Sequence, residues 1–568
     1  MPLSARTLLS PEARLRAAHF PGLGGGNAWR TAARLSPHPD LPLIIADRPL
    51  VNLDGQEQAE FSINQLDALA DAWAAWYLDR GVRPRDRVAL YIEDSFEDQL
   101  HLAALARIGA IGLLINGRML PELALGLMRR TEPVGLYTDA PHLALLDGRH
   151  LELPGLRWTC AREEVGTLGH RSLPESAVYR HGDEDPVVLC HSSGTTGNPK
   201  PVIWTHRQSV AGARFRLANN TESEDSVMLA AAPQTHSSAI AFTFYALLAG
   251  LPTIAYSDPG GPGLARACAT YRPTAVLAFN EALGRLATME NDPADFTSVQ
   301  VWLNLGDAGH DAHMRALMRL GSTTVDGRTV PGSVVDDGLG SSELGWAAIR
   351  RLLTPDSPPR PRYLGTRVSV AEVAVLREDG TEAEPDEVGM LGVRGEAVTR
   401  GYWNDSDTTY RTMLAGYWLS GDLVSRTADG DFFHVDRVVD AIRTPTGDGY
   451  SVLMEEELLL NLPHIEDCAV VAGRHEETTV PVAVVRPRES GADPEVLLKQ
   501  VNEVLTRIGQ PAVALLELAQ TEEDIPLGPT GKVHKRRLRE RYAALHSYRP
   551  TGPAARTEAG RLTTGATR

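Results

Sequence analysis

Between about residues 42 and 305, short apolar runs alternate with longer stretches whose apolar residues recur at helical spacing. Leu66, Leu69, Trp73, Trp76 and Tyr77 fall on one helix face, and a strand-like run over 87–92 follows them. A helical stretch over 96–108 and an apolar run over 110–115 come next, and further apolar runs recur at 186–190, 227–231, 274–279 and 299–305. That alternation predicts an α/β fold of layered helices and largely parallel sheets. Past about residue 365 the segments shorten and turns multiply (373–376, 389–394, 432–435), which predicts a small β-rich unit closing a large N-terminal domain over residues 1–435. A small α+β C-terminal domain is expected over 436–547, with helices at 454–461 and 494–507 and apolar runs at 468–472 and 480–485. Residues 548–568, rich in Pro, Gly, Thr, Ala and Arg, read as a disordered tail.

Charge narrows the partners. Lys and Arg number 56 against 73 Asp and Glu, a formal charge of −17 that opposes non-specific binding to nucleic acid or anionic lipid. Any polyanionic ligand therefore needs a local cationic site. Residues 239–256 run without a charge, but Gly250 and Pro252 interrupt them, so they read as a buried helix, a turn and a buried strand rather than a membrane span. Cys160, Cys190, Cys268 and Cys468 lie far apart with no C-x-x-C spacing, against a disulfide framework or a zinc ribbon. Residues 1–16 break their few apolar positions with Arg6, Glu12, Arg14 and Arg16, unlike a secretory signal, and a cytoplasmic location is expected.

The segment richest in chemistry is His191-Ser-Ser-Gly-Thr-Thr-Gly-Asn-Pro-Lys200, directly after the run at 186–190. Gly194 and Gly197 let successive amides point at one anion, the hydroxyls of Ser193, Thr195 and Thr196 can donate to phosphate oxygens, and Lys200 adds charge. It is not a Walker loop, because Pro201 follows the lysine and leaves no hydroxyl for magnesium there. An ATP hydrolase or kinase releasing ADP is accordingly disfavoured. No G-x-S-x-G elbow supports a serine hydrolase.

This segment resembles the signature loop of the adenylate-forming superfamily, [ST]-S-G-T-T-G-x-P-K-G, at nine of ten positions, with Pro201 in place of the last glycine. The superfamily includes acyl- and aryl-CoA synthetases, the adenylation domains of peptide synthetases, and firefly luciferase. Later motifs follow in the family's order: Gly340-Ser341-Ser342-Glu343 resembles G-x-[ST]-E, the segment 416–422 resembles G-W-x-x-T-G-D, and 526–538 resembles the C-terminal P-x-x-x-T-G-K. Segments 389–395 and 400–404 fit as well, and the resemblance covers about residues 30–545.

The resemblance implies attack of a carboxylate on the α-phosphate of ATP, giving an acyl-adenylate and pyrophosphate. An anion must approach a polyanion, so the chemistry depends on cations and donors that neutralise charge as it develops. By correspondence, the 193–200 loop holds the pyrophosphate end, Glu343 with Thr196 serves Mg2+, Ser342 lies near the α-phosphate, and Asp422 accepts the ribose hydroxyls beside Arg437. Lys532 is the mobile catalytic cation. The resemblance also implies a C-terminal domain that rotates between half-reactions, with Asp436 as hinge.

Three departures qualify this. Leu339 stands where the family carries an adenine-stacking aromatic. The post-hinge motif keeps Arg437, Asp440, Ile442 and Glu456, but the loop at 443–450, which faces the thiol acceptor in CoA ligases, is altered and carries Pro445. After the run at 227–231, Pro233-Gln-Thr-His236 places a histidine where acid ligases have one near the carboxylate, and lacks the aspartate that amino-acid-activating domains use. His236 also reads as a satisfied core histidine. The acid pocket is expected to draw on His236, Phe279, Asn280, Gly306 and Asp307. Asp307 has two readings, a contact to a substrate hydroxyl or amine and a cap for a helix beginning at Gly309. His310 and His313 form an H-x-x-H with no third ligand and read as helix-surface residues rather than a zinc site.

The expected function is therefore an ATP-dependent ligase that adenylates an aryl or acyl acid and passes it to CoA. The alternative sends the acyl group to an amine, as amide synthetases do, or to the thiol of a separate carrier protein. A binding-only relative would have little need for Lys532.

Overall fold

The computed structural model describes residues 7–192, 199–219, 222–258, 260–306, 309, 311–325, 328–489, 491–526, 533–550 and 552–557. It divides into two units, Met1–Ala374 with Gly392–Ser420, and Val375–Leu391 with Gly421–Arg568. The alternation in the sequence becomes two sheets in the first unit. One has the order Trp158–Ala161, Gly135–Thr138, Arg87–Tyr91, Ile111–Ile115, Pro186–His191, Pro201–Thr205, all parallel except for the last pair. The other runs Tyr363–Arg367, Ile349–Leu353, Val334–Leu339, Val301–Leu305, Ala275–Phe279, Met228–Ala231, Thr253–Ala255, Pro42–Val51, Glu57–Ser62. Its six strands from Val334–Leu339 to Pro42–Val51 are parallel, with antiparallel additions at both ends.

Local chemistry explains the elements. Helix Ile63–Asp79 starts at a reciprocal cap in which Ser62 and Gln65 satisfy each other's backbone amides, and it buries Leu66, Leu69, Trp73, Trp76 and Tyr77. The uncharged stretch at 239–256 forms helix Ser237–Ala249, buried almost all round, then a turn at Gly250 with φ 69°, then strand Thr253–Ala255. Glycine is needed there, since a Cβ would stand 2.0 Å from the Thr7 carbonyl oxygen. Among the described residues, no helix is long and apolar enough to cross a membrane. All four cysteines are free and buried.

The second unit holds a four-stranded sheet in the order Ile465–His475, Thr478–Pro487, Leu515–Leu518, Ala554–Arg556. Helices Ser451–Asn461, Pro494–Arg507 and Lys535–Arg541 accompany it. The first of these starts three residues before the sequence suggested, because the buried Ser451 hydroxyl donates to the Val470 carbonyl and fixes the opening turn. The segment expected as a tail differs where it is described. Ala554–Arg556 pairs antiparallel with Leu515–Leu518, and the Tyr548 hydroxyl donates to Glu517 at 2.7 Å, so backbone pairing and one buried acceptor order residues that composition alone would leave free. Residues 558–568 lie outside the described residues.

A glycine run near the N-terminus packs against two histidines. The rings of His181 and His206 stack at 4.7 Å, and a Cβ on Gly24 or Gly26 would come within 2.3 Å of His206 or His181 respectively. The Gly26 amide donates to His206 Nδ1 at 3.1 Å, so the His206 proton sits on Nε2, which faces the Gly22 carbonyl at 3.2 Å. Burial, with His181 alongside, pushes the His206 pKa down to about 4, and burial lowers that of His181 too. The unfolded chain takes up these protons first, so this stabilisation is complete above about pH 6.5 and is lost as pH falls toward 4. For His206 the displacement from 6.5 to about 4 corresponds to about 3 kcal/mol. Urea unfolding at successive pH values is expected to show this loss, and His206→Gln is expected to flatten the slope between pH 4 and 6.5.

Candidate active site

Four neighbouring parallel strands set up the site. The strands Met228–Ala231, Ala275–Phe279, Val301–Leu305 and Val334–Leu339 end side by side, and their carboxyl ends lead to His236, Asn280, Gly306 and the turn at 340–345. Crevices at such carboxyl ends are where open α/β sheets bind ligands.

His236 caps helix Ser237–Ala249, with its Nδ1 accepting from the Ser238 amide at 3.2 Å and lying 2.7 Å from the Ser238 hydroxyl. Its proton therefore sits on Nε2, and burial pushes its pKa down to about 4, so it is a neutral donor at pH 7. The Phe279 ring packs edge-on against it at 4.9 Å. Gly306, at φ 85°, lies so close that a Cβ would come 2.5 Å from Phe279. Asn280 opens helix Asn280–Thr288, and its buried Oδ1 has no hydrogen-bond partner among the described residues. Asp307 and His310 lie outside the described residues, and His313 sits on helix Asp311–Leu320.

The turn after Val334–Leu339 ties both sheets together. The Ser342 hydroxyl lies 3.0 Å from that of Ser237 and donates to the His191 carbonyl at 3.3 Å, while the Trp204 indole donates to the Ser342 carbonyl at 2.7 Å. Gly340 and Ser341 begin the turn, and the Ser341 hydroxyl accepts from the Leu344 amide at 3.3 Å. The Tyr402 hydroxyl donates to Glu343 Oε1 at 3.0 Å, and the Lys200 ammonium stands 4.9 Å from the Tyr402 ring centroid. Burial and the neighbouring Glu343 push the Tyr402 phenol up, so it remains a donor. Pro201 is the first residue of strand Pro201–Thr205, a place a ladder tolerates proline. Leu339 ends its strand opposite Ile349.

Strand Pro186–His191 runs toward the phosphate-loop candidates and Lys200 returns from them, while Ser193, Gly194, Thr195, Thr196 and Gly197 themselves lie outside the described residues, as does Lys532. The second unit brings Asp422 and Arg437 together as directly opposed residues of an antiparallel pair, with the guanidinium 3.2 Å from the carboxylate and His434 at 3.7 Å. Burial raises the Asp436 carboxyl. The altered loop is a tight hairpin in which Ile442–Thr444 pairs with Gly447–Gly449 across Pro445 and Thr446, and Arg443 bonds Asp448 at 2.9 Å.

Sequence reasoning gave no role to Tyr402 or Trp204. Their one signal was an aromatic residue close to a motif, which becomes informative only when folding sets each beside the 340–345 turn.

The sequence profile of AMP-binding enzymes matches residues 33–403, and that of the AMP-binding enzyme C-terminal domain matches 455–532. A 3-aminoavenalumate diazotase of a Streptomyces species is 37% identical over 560 residues, covering 94% of this chain and 99% of its own. A 3-hydroxybenzoate–CoA/4-hydroxybenzoate–CoA ligase of Thauera aromatica is 26% identical over 534 residues, covering 87% and 96%. Among solved structures, an anthranilate CoA ligase in complex with anthranoyl-AMP superposes with TM-score 0.73 at 19% identity, covering 93% of this chain and 99% of that one.

Replacing Trp204 by Phe removes the donor to the buried Ser342 carbonyl while keeping an aromatic ring. A loss of about 1–3 kcal/mol in unfolding free energy is expected, checked by urea denaturation.

Proposed function

Because this chain is an adenylate-forming enzyme of the AMP-binding enzyme family, we propose that it activates a small acid on ATP and hands the activated group to a nucleophile. The observation that carries this reading is the chain of contacts from Lys200 through Tyr402 to Glu343, joined by the 340–345 turn to Ser342, Ser237 and His236. An acid oxygen attacks the α-phosphorus, its bond to the bridging oxygen breaks, and pyrophosphate leaves. Lys200 and the hydroxyls of the 193–197 loop bind the departing phosphates, and the neutral His236 donates from Nε2 to the acid. Lys532 supplies a cation between acid and phosphate, and Asp422 with Arg437 binds the ribose. Glu343, a hard oxygen donor, suits Mg2+ together with phosphate oxygens and Thr196, and the ion would supply neutralisation of phosphate charge. An edge-on aromatic pair beside an amide oxygen with no partner among the described residues favours an aryl acid bearing a polar group.

For the acceptor, CoA is one reading, supported by relatives named CoA ligases or, in one case, a feruloyl-CoA synthase, at 24–28% identity. A second reading is favoured by the more similar diazotase-named relative at 37% and by the altered sequence of the 443–450 segment, which carries Pro445. In that reading the acid is nitrite and the acceptor an aromatic amine. A nitrite oxygen attacks the α-phosphorus and pyrophosphate leaves; the amine nitrogen then takes the nitrosyl group from AMP, and proton-assisted loss of water leaves the aryl diazonium ion.

Pyrophosphate release would be followed with ATP and Mg2+ across aryl, fatty and amino acids with and without CoA, and with nitrite plus aryl amines, identifying products by mass. Acyl-CoA with AMP supports the thiol reading, and AMP with a diazonium product supports the amine reading. ADP, or no turnover with any acid, overturns adenylation. Lys532→Ala is expected to lower turnover by about 100-fold or more while nucleotide affinity changes little, and unchanged turnover would sink the proposed role of the lysine.

A further inference from the structure

His236 is held in place by residues that none of the adenylation motifs contain. The corner before it, 233–236, closes through the His236 amide, which donates to the Pro233 carbonyl at 2.8 Å. Both backbone groups of Gln234 inside that corner are then bound from one side. The Gln234 amide donates to Asp94 Oδ1 at 2.7 Å, and the Gln99 side-chain amide donates to the Gln234 carbonyl. Gln99 lies on helix Glu97–Arg107, and Asp94 lies three residues before the helix starts. Gln99 and Gln234 are 1% and 2% exposed, so water cannot substitute for these partners.

We propose that Asp94 and Gln99 are positioning residues for the acid pocket, clamping Gln234 from both of its backbone groups so that the Nε2–H of His236 meets the acid at a fixed point. The inference rests on the proposed role of His236. A corner bound through one backbone group can pivot about that bond; one bound through both its N–H and its C=O cannot. The clamp comes from the helix after strand Arg87–Tyr91, in the other sheet, and so couples the acid pocket to that sheet by a route separate from Ser342. The nucleotide-side contacts of Lys200, Tyr402 and Glu343 do not pass through it, so the clamp acts on acid recognition and leaves ATP recognition alone.

The test compares Asp94→Leu and Gln99→Leu, which remove one partner each, with Asp94→Asn, which keeps an oxygen acceptor. Acid-dependent pyrophosphate exchange on the full chain is expected to show KM for the acid raised about tenfold in both Leu variants, with KM for ATP within about twofold and Asp94→Asn close to wild type. Hydrogen exchange at the His236 amide gives a second reading that needs no turnover: about tenfold faster in the Leu variants and restored in Asp94→Asn. An acid KM that does not move, an ATP KM that rises in step with it, or an Asp94→Asn as impaired as Asp94→Leu would overturn the clamp. If the wild type exchanges with no acid, including nitrite, the adenylation reading falls, while the amide exchange still decides whether Asp94 and Gln99 hold the corner.

Discussion

Ser342 is a point at which the two sheets of the first unit are hydrogen-bonded at the 340–345 turn. Its hydroxyl spans Ser237, at the start of one sheet's helix, and the His191 carbonyl, at the end of the other sheet's strand, while its carbonyl takes the Trp204 indole. Each bond adds about 1 kcal/mol net, but leaving any of these buried groups unpaired would cost about 1–3 kcal/mol, so the arrangement is enforced more by the penalty for breaking it than by the gain in making it. The same turn requires Gly345 at φ 68°, where a Cβ would stand 2.1 Å from the Ala397 oxygen. The bonds of Ser342 thus account for part of the 340–343 motif that chemistry alone would be credited with, and Gly345 extends the packing demand beyond it.

Burial decides the charge of the site. His191 and His236 both titrate below their ordinary value because they are desolvated, and each has a ring nitrogen that accepts from a backbone amide, His191 from Asn116 and His236 from Ser238. They are donors without charge. Among the described site residues of the first unit, Lys200, beside the Tyr402 ring, is then the formal cation, too little by itself to neutralise an anion meeting a triphosphate. The proposed reaction would draw the remaining positive charge from Mg2+ and from Lys532, the cation the family resemblance supplies. In its proposed role a neutral His236 has a compensating merit: it would orient an acid oxygen without trapping it as an ion pair that would have to be broken in the transition state.

The sequence disclosed those parts of the fold where periodicity and contiguity agree. Strands at 186–191, 275–279 and 301–305 and helix 494–507 lie where apolar runs and helical spacing place them, and the uncharged run at 239–256 resolves at Gly250 because a positive φ and a Pro two residues on can end a helix. At 554–556 the structure departs from a disordered tail because the strand there is three residues completed by pairing, and pairing partners are invisible to composition. Motif order put forward Lys200, Ser342, Glu343 and Asp422, and the segment after the 227–231 run put forward His236. Neither could name Tyr402, Trp204, Asp94 or Gln99, whose bonds join segments separated by between 59 and 140 residues. Spacing rules carry information over a helix turn or a strand; contacts of that range exist only once the sheets have formed.

Lysine usage adds a constraint of a different kind. Of 56 basic residues only Lys200, Lys499, Lys532 and Lys535 are lysine. Where a planar fork meets a carboxylate squarely, as Arg350 does with Asp336 or Arg400 with Glu184, the chain uses arginine. Lys499 is an exposed helix residue. Lys200 stands beside the Tyr402 ring, and Lys535 lies between the Ser451 hydroxyl at 2.7 Å and Glu455 at 2.9 Å, with its side chain only 11% exposed. A guanidinium in that second slot would leave several donors buried without partners, whereas a compact ammonium fits two acceptors on different segments. Lys535 also follows Lys532 by three residues at the start of helix Lys535–Arg541, so this buried pair fixes one end of the segment that carries the proposed catalytic cation. Two of the four lysines, Lys200 and Lys535, thus stand where a single small cation, rather than a fork, meets the geometry.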